Sequence, residues 1–191
     1  MQTQYRQAID QHRQRIFSFA HYSLRARQDA EDVTQEVFIK LWQHWQKIDH
    51  SKLGAWLMRV THNAVIDHVR KNRSIQKHVD DYADVSDQAS SEEHGKTIDE
   101  QAFKQLLMAA IQSLDDPFRS IVIMRDIQGL SYAEIQKILD ISESQVKVYL
   151  HRSRRKLREN PQLRQLFENY GGASSNTVAE STSDIQQARS D

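Results

Sequence analysis

A chain of 191 residues is long enough for one ordinary domain or two small ones, and 26 Lys+Arg against 26 Asp+Glu leave it without net charge. The absence of cysteine excludes disulfides, thiolate metal sites and thiol catalysis, and suits a reducing compartment. No apolar run approaches the roughly 18 residues that a membrane span needs, and the polar N-terminus has no signal-peptide core, so a soluble cytoplasmic protein is expected.

Five Gly, two Pro and no sustained alternation of β-branched with polar residues predict an all-α fold. The first helix, about residues 5–24, offers Ile9, Ile16, Phe17 and Ala20 to a core. In "DAEDVTQEVFIKLWQHWQKI", Val33, Val37, Leu41, Trp45 and Ile48 recur every three or four residues and form one stripe. Asp32, Gln35, Glu36, Phe38, Ile39 and Trp42 are left partly outward, and a large apolar group beside acids is either a partner surface or a widening of the core stripe. A third helix, about 53–70, turns Trp56, Leu57, Val60, Ala64 and Val69 inward and carries Arg59, Asn63 and Asp67 at four-residue spacing, continued by Arg70, Lys71 and Arg73. Periodicity alone fits an ion-paired solvent face there.

Charge runs basic, acidic, basic along the chain. Arg59 to His78 holds five Lys/Arg and one Asp, Val79 to Glu100 one Lys and eight acids, and Lys137 to Arg158 seven Lys/Arg and two acids. From Ser74 to about Lys96 the apolar stripe is lost, the composition of a linker that cannot bury enough surface to order itself. Two small helical domains joined by a flexible acidic linker are therefore expected, at residues 1–73, 74–97 and 98–170, with 171–191 a disordered tail. The second domain opens with Phe103, Leu106, Leu107, Ala110, Ile111 and Leu114, and Asp116-Pro117 then begins a helix with Pro at its first position.

Two capping boxes follow, Ser131 with Glu134 and Ser142 with Gln145, separated by a corner at Asp140-Ile141. This is helix-turn-helix spacing. Ile135, Ile138, Leu139, Val146 and Leu150 supply the inner faces. On the second helix Ser144, Gln145, Lys147, Val148 and His151 precede the cluster Arg152, Arg154 and Arg155, an order that suits base edges first and phosphate later. The bland alternative is a basic solvated helix in an ordinary bundle. Enzymatic function finds no support: there is no His-Glu-x-x-His pair, no glycine-rich phosphate loop and no Gly-x-Ser-x-Gly elbow, and neither a metal site nor a cofactor is expected.

Leu114 to Arg158, "LDDPFRSIVIMRDIQGLSYAEIQKILDISESQVKVYLHRSRRKLR", closely resembles the fourth region of bacterial sigma factors, which recognises the minus-thirty-five promoter element. "DAEDVTQEVFIKLWQHW" with "AWLMRVTHNAVIDHVRKNR" is similar to the second region, which docks on core RNA polymerase and melts the minus-ten element. Both regions in this order, with a short linker and no third domain, resemble the extracytoplasmic-function (group four) sigma factors of the sigma-70 superfamily, over about three quarters of the chain.

The resemblance implies a non-catalytic specificity subunit that confers promoter recognition on polymerase and promotes DNA melting. Asp32, Gln35, Glu36, Phe38, Ile39 and Trp42 would then meet core polymerase. Asp49, His50, Ser51 and Lys52 in the loop, with Trp56, Arg59, Asn63, Arg70, Lys71 and Arg73, would meet the minus-ten strand. Ser144, Gln145, Lys147, Val148, His151, Arg152, Arg154 and Arg155 would meet the minus-thirty-five duplex. Core RNA polymerase, promoter DNA and an anti-sigma factor are the implied partners, and the acidic linker would thread the RNA exit channel. Asp140 stands where Gly is usual in the turn, and Asp tolerates the left-handed backbone. Gln136 and Gln145 also depart from the common pattern, so no promoter sequence is implied. The competing function is a stand-alone helix-turn-helix regulator, which would not bind core polymerase.

Overall fold

The computed structural model describes the backbone of residues 2–79 and 98–164, with side chains from 2–72 and 101–164. The expected linker from residue 80 to 97 and the tail lie outside the described residues. All regular structure among the described residues is helical: α1 (Gln2–Ser23), α2 (Arg27–His44), a short 3₁₀ turn at His50–Lys52, α3 (Leu53–Val79), α4 (Ile98–Gln112), α5 (Phe118–Val122) running into a π turn at Ile123–Ile127, α6 (Tyr132–Leu139) and α7 (Glu143–Glu159). None of the described helices is long and apolar enough to cross a membrane.

The three N-terminal helices close on each other because each presents a stripe at helical spacing. Ile16, Phe19 and Ala20 of α1 are buried against Val33, Val37 and Leu41 of α2 and Leu57, Met58 and Val65 of α3. Polar residues within that core satisfy themselves locally. The hydroxyls of Ser23, Thr34 and Thr61 each donate to the carbonyl four residues back, at 2.7 Å. On α3 the buried set is Leu53, Leu57, Met58, Thr61, Ala64 and Val65, whereas Trp56, Val60 and Val69 are half-buried. The stripe is turned by one residue from the expected one because α3 also packs against α6 of the C-terminal domain. Its helical backbone continues through Val79, past the expected domain end at residue 73, since nothing from Ser74 to Val79 breaks a helix.

The C-terminal core gathers Ile111, Leu114, Ile121, Val122, Ile123 and Met124 with Ile135, Ile138, Val146 and Leu150. Pro117 sits at the N-cap of α5, one place ahead of its first helical residue, rather than inside the helix as expected. Ser153 of α7 is fully buried and donates to the carbonyls of Phe118 at 2.9 Å and Tyr149 at 2.7 Å, tying α7 to α5. The two domains are not separate bodies in this structure. Their buried residues form one continuous apolar cluster, and α1 meets α4 while α3 meets α6.

His62 of α3 lies on that seam, facing Asp116 and Arg119 from the C-terminal domain and Asn63 on its own helix. Burial lowers its pKa, and Arg119 adds to this against the pull of Asp116. Burial also lowers the pKa values of His12 and His21. All three therefore resist a proton that the unfolded chain accepts near its ordinary value of about 6.5, so stability is full above that pH and declines as pH falls below it. Thermal melts should show a lower midpoint at pH 5.5 than at 7.5, with His62→Gln flattening the dependence by at most about 1.4 kcal/mol per pH unit. Identical pH dependence in His62→Gln and the parent would show that His62 does not resist protonation. Glu134 and Asp49, whose pKa values are lowered, lose their contribution only at more acidic pH.

Candidate nucleic-acid and partner interfaces

The recognition corner is built by its caps. Ser131 Oγ accepts from the Glu134 N–H at 3.2 Å while the Glu134 carboxylate accepts from the Ser131 N–H at 2.7 Å. Ser142 and Gln145 repeat the exchange at 3.2 and 2.8 Å. Between the two boxes Asp140 closes α6 in the left-handed region, at φ 57° and ψ 46°, the conformation that its place in the corner demands. With both ends of the turn capped, the start of α7 has one direction open to it. Ile135, Ile138, Val146 and Leu150 are buried as expected, and Leu139 is half-buried.

Ser144, Gln145, Lys147, Val148, His151, Arg152, Arg154 and Arg155 are all exposed on α7. Ser144, Lys147, Val148, His151 and Arg155 fall at helical spacing along one face. Val148 is 46% exposed in the middle of this basic face, where an apolar group fits a thymine methyl better than water. Several of the cations are held in place by the protein itself. Lys147 pairs with Glu143 at 2.7 Å, which raises its pKa, and its ammonium lies 5.8 Å from the centre of the Tyr132 ring. Arg154 makes a fork-to-fork pair with Asp126 of the π turn at 3.0 and 2.5 Å, and its pKa is raised chiefly by that bond. Gln145 uses its side-chain carbonyl in the cap, so it orients the helix start as well as bordering the face.

On α2, Asp32, Gln35 and Glu36 are exposed, and Ile39 and Trp42 are 57% and 53% exposed. Phe38 is not outward: it is 9% exposed and belongs to the core, because the α2 stripe is wide enough to take it in. Its carbonyl accepts from the Tyr5 hydroxyl at 2.8 Å. The Tyr5 ring in turn stands edge-on to Trp42 at 5.0 Å and to Trp45 at 5.4 Å, so α1 fixes the exposed indole. Tyr5 is not among the expected interface residues, since a lone Tyr near the start of a helix gives no periodic signal.

In the loop, Asp49 caps the 3₁₀ turn. Its carboxylate accepts from the Ser51 N–H at 3.0 Å and hydroxyl at 2.7 Å, which holds its pKa below the usual range, and Lys52 lies 3.5 Å away. His50 stands edge-on to Trp45 at 4.5 Å, and Trp56 is half-buried near His44. Arg59, Asn63, Asp67, Arg70 and Lys71 form an exposed line on α3, with Arg70 paired to Asp67 at 3.7 Å. Arg73 continues that helix, its side chain outside the described residues. Arg59 is brought to the helix-turn-helix: its guanidinium donates to the Ile138 carbonyl at 3.3 Å and to the Lys137 carbonyl. Among the described residues no cluster of His, Asp or Glu is arranged to hold a metal ion.

Comparison with known proteins matches residues 8–75 to sigma-70 region 2 and residues 104–157 to sigma-70, region 4. The chain is 33% identical over 153 residues to the ECF RNA polymerase sigma factor SigE of Mycolicibacterium smegmatis, a match covering 79% of this chain and 59% of that protein. It is 29% identical over 143 residues to the ECF RNA polymerase sigma factor SigM of Bacillus subtilis, covering 75% and 86%. The fold is similar to that of the sigma factor RpoE in its co-crystal with the anti-sigma factor NepR from Bartonella quintana. The TM-score is 0.69 at 22% identity, over 82% of this chain and 95% of that one.

Proposed function

The chain belongs to the extracytoplasmic-function sigma factors of the sigma-70 family, proteins that direct RNA polymerase to promoters, and from that premise we propose how its own residues divide the work. Region 2, ending near residue 73, meets core RNA polymerase with Asp32, Gln35, Glu36, Ile39 and Trp42, while Phe38 supports that face from beneath. Its α3 line, Arg59, Asn63, Arg70, Lys71 and Arg73, with Trp56 and the loop from Asp49 to Lys52, takes the minus-ten strand, cations on the backbone and an aromatic beside displaced bases. Region 4 lays α7 in the major groove of the minus-thirty-five element. The acidic segment between them joins the two regions, and its charge repels the DNA backbone. The subunit itself is non-catalytic, works without a cofactor and acts in the cytoplasm with its polymerase.

The observation that carries this reading is the pair Ile39 and Trp42, two large apolar side chains more than half exposed beside acids on α2. A stand-alone regulator with the same helix-turn-helix has no use for that face. RpoE of Bartonella quintana was crystallised with an anti-sigma factor, and we infer a partner of that class here, competing for the same surfaces. The deciding experiment is a fluorescence-anisotropy titration of labelled protein with core RNA polymerase in the absence of DNA. Saturable binding that a housekeeping sigma factor displaces is expected. A folded protein that does not bind core enzyme from its own source acts through region 4 alone, and the regulator reading replaces this one.

A further inference from the structure

Resting on the assignment of Trp42 to core polymerase and of the loop from Asp49 to Lys52 to the minus-ten strand, we propose that a row of four rings ties those two surfaces together, with Tyr5 and Trp45 as the positioning residues between them. The row runs Trp42, Tyr5, Trp45, His50. Tyr5 stands edge-on to Trp42 at 5.0 Å and 73°, and to Trp45 at 5.4 Å and 83°. Trp45 in turn stands edge-on to His50 at 4.5 Å and 70°. The outer two rings belong to exposed residues with an assigned ligand. The inner two have none: Trp45 is 7% exposed and Tyr5 is half-buried at the start of α1.

The row is fixed from outside as well as along its length. The Tyr5 hydroxyl donates to the Phe38 carbonyl at 2.8 Å, and burial raises its pKa, so it keeps the proton that makes this bond. Trp42 and Trp45 lie three residues apart at the end of α2, so their side chains leave the helix on one side and a single ring from α1 meets both. Trp45 is the C-cap of that helix, and its N–H donates to the Trp42 carbonyl at 3.4 Å. At the far end His50 opens the 3₁₀ turn, whose cap Asp49 accepts from the Ser51 N–H at 3.0 Å and hydroxyl at 2.7 Å. The backbone between is tied down too, since the Lys47 N–H donates to the His44 carbonyl at 2.8 Å.

A side chain already fixed loses less rotamer freedom when a partner closes over it, so affinity at both surfaces gains from the row. Tyr5 supplies this directly at the indole of Trp42. It supplies it to the imidazole of His50 by way of Trp45. Edge-to-face packing depends on ring shape and on the charge distribution of the π system, which an aliphatic side chain of similar volume lacks. Phe at position 5 therefore keeps the row, and Leu breaks it. If Tyr5 only filled space between α1 and α2, Leu would serve as well as Phe. The first turns of α1 thus govern two grips in which they make no contact with the ligand.

The test compares Tyr5→Leu with Tyr5→Phe in the full chain by two readouts. The first is affinity for core polymerase without DNA, by anisotropy. The second is base preference: the polymerase complex is mixed with single-stranded DNA of randomised sequence, and the retained strands are sequenced. His50→Ala marks the position that the loop reads, as the one where preference flattens. Tyr5→Leu should weaken core binding about five-fold and lower enrichment at that same position by a similar factor, and Tyr5→Phe should restore most of both. Base preference is set by folded molecules alone, so partial unfolding of Tyr5→Leu does not imitate the result. Tyr5→Leu that changes neither readout, or only one of them, overturns the tie, as does a Tyr5→Phe variant no better than Tyr5→Leu. A parent protein that does not bind core polymerase at all sinks the functional assignment and this inference with it, whereas a parent that binds while Tyr5→Leu matches it sinks the inference alone.

Discussion

Trp42→Ala is expected to weaken binding to core RNA polymerase by about 2 kcal/mol or more, roughly thirty-fold, while leaving the fold intact. The indole is 53% exposed, so its removal opens no cavity in the core. What the free protein loses is the edge contact with Tyr5 at 5.0 Å, worth about 0.5–1.5 kcal/mol. In a complex the same indole would be desolvated together with Ile39, and truncation then removes a rigid aromatic anchor at the centre of the face. Phe38→Ala is the control that separates interface from core. Its ring is buried, so it should cost about 3–5 kcal/mol of stability, and any loss of polymerase binding should follow the loss of folded protein. Calorimetric melts and anisotropy titrations on the two variants give the comparison. Equal polymerase affinity for Trp42→Ala and the parent would remove α2 from the interface.

The helix-turn-helix could be read from sequence almost to the residue, because its signals are local. Two capping boxes, a two-residue corner and a basic run all lie within thirty positions and do not depend on what else packs nearby. Asp140 shows the same logic, since a residue that tolerates the left-handed region is required wherever the corner is this short. The misplacements have a different cause. Periodicity sets Phe38 outward because it gives the centre of a stripe and not its width, which depends on how far α1 wraps round α2. The α3 stripe is turned by one residue, and the seam that turns it joins residues some eighty positions apart, as Arg59 and Ile138 are. Long-range pairs of polar groups leave no period in a sequence. The pairing of Arg154 with Asp126 is hidden for the same reason, since an acid in a turn 28 residues away has no sequence mark that it faces a particular arginine.

That pairing decides how the DNA-binding face should be dissected. Lys147→Ala should cost about 1–3 kcal/mol at promoter sites and much less on unrelated duplex, because Lys147 lies in the first turns of α7 where side chains reach base edges. Its pairing with Glu143 at 2.7 Å and its place beside the Tyr132 ring hold the ammonium on the exposed side of α7. Arg152→Ala should weaken binding to all sequences alike and reduce the slope of log K against log salt by about 0.9, one phosphate contact. Arg154, assigned to phosphate by its position in the basic run, is a poorer probe. Its guanidinium is already forked onto Asp126, so Arg154→Ala also loosens α7 from the π turn, and a fall in affinity would mix lost contact with lost support. Salt-dependent binding isotherms for Lys147→Ala and Arg152→Ala, each on promoter and random duplex, separate the two roles. Equal losses for both variants on both duplexes would mean that α7 grips the backbone along its whole length, and that sequence is read elsewhere in the complex.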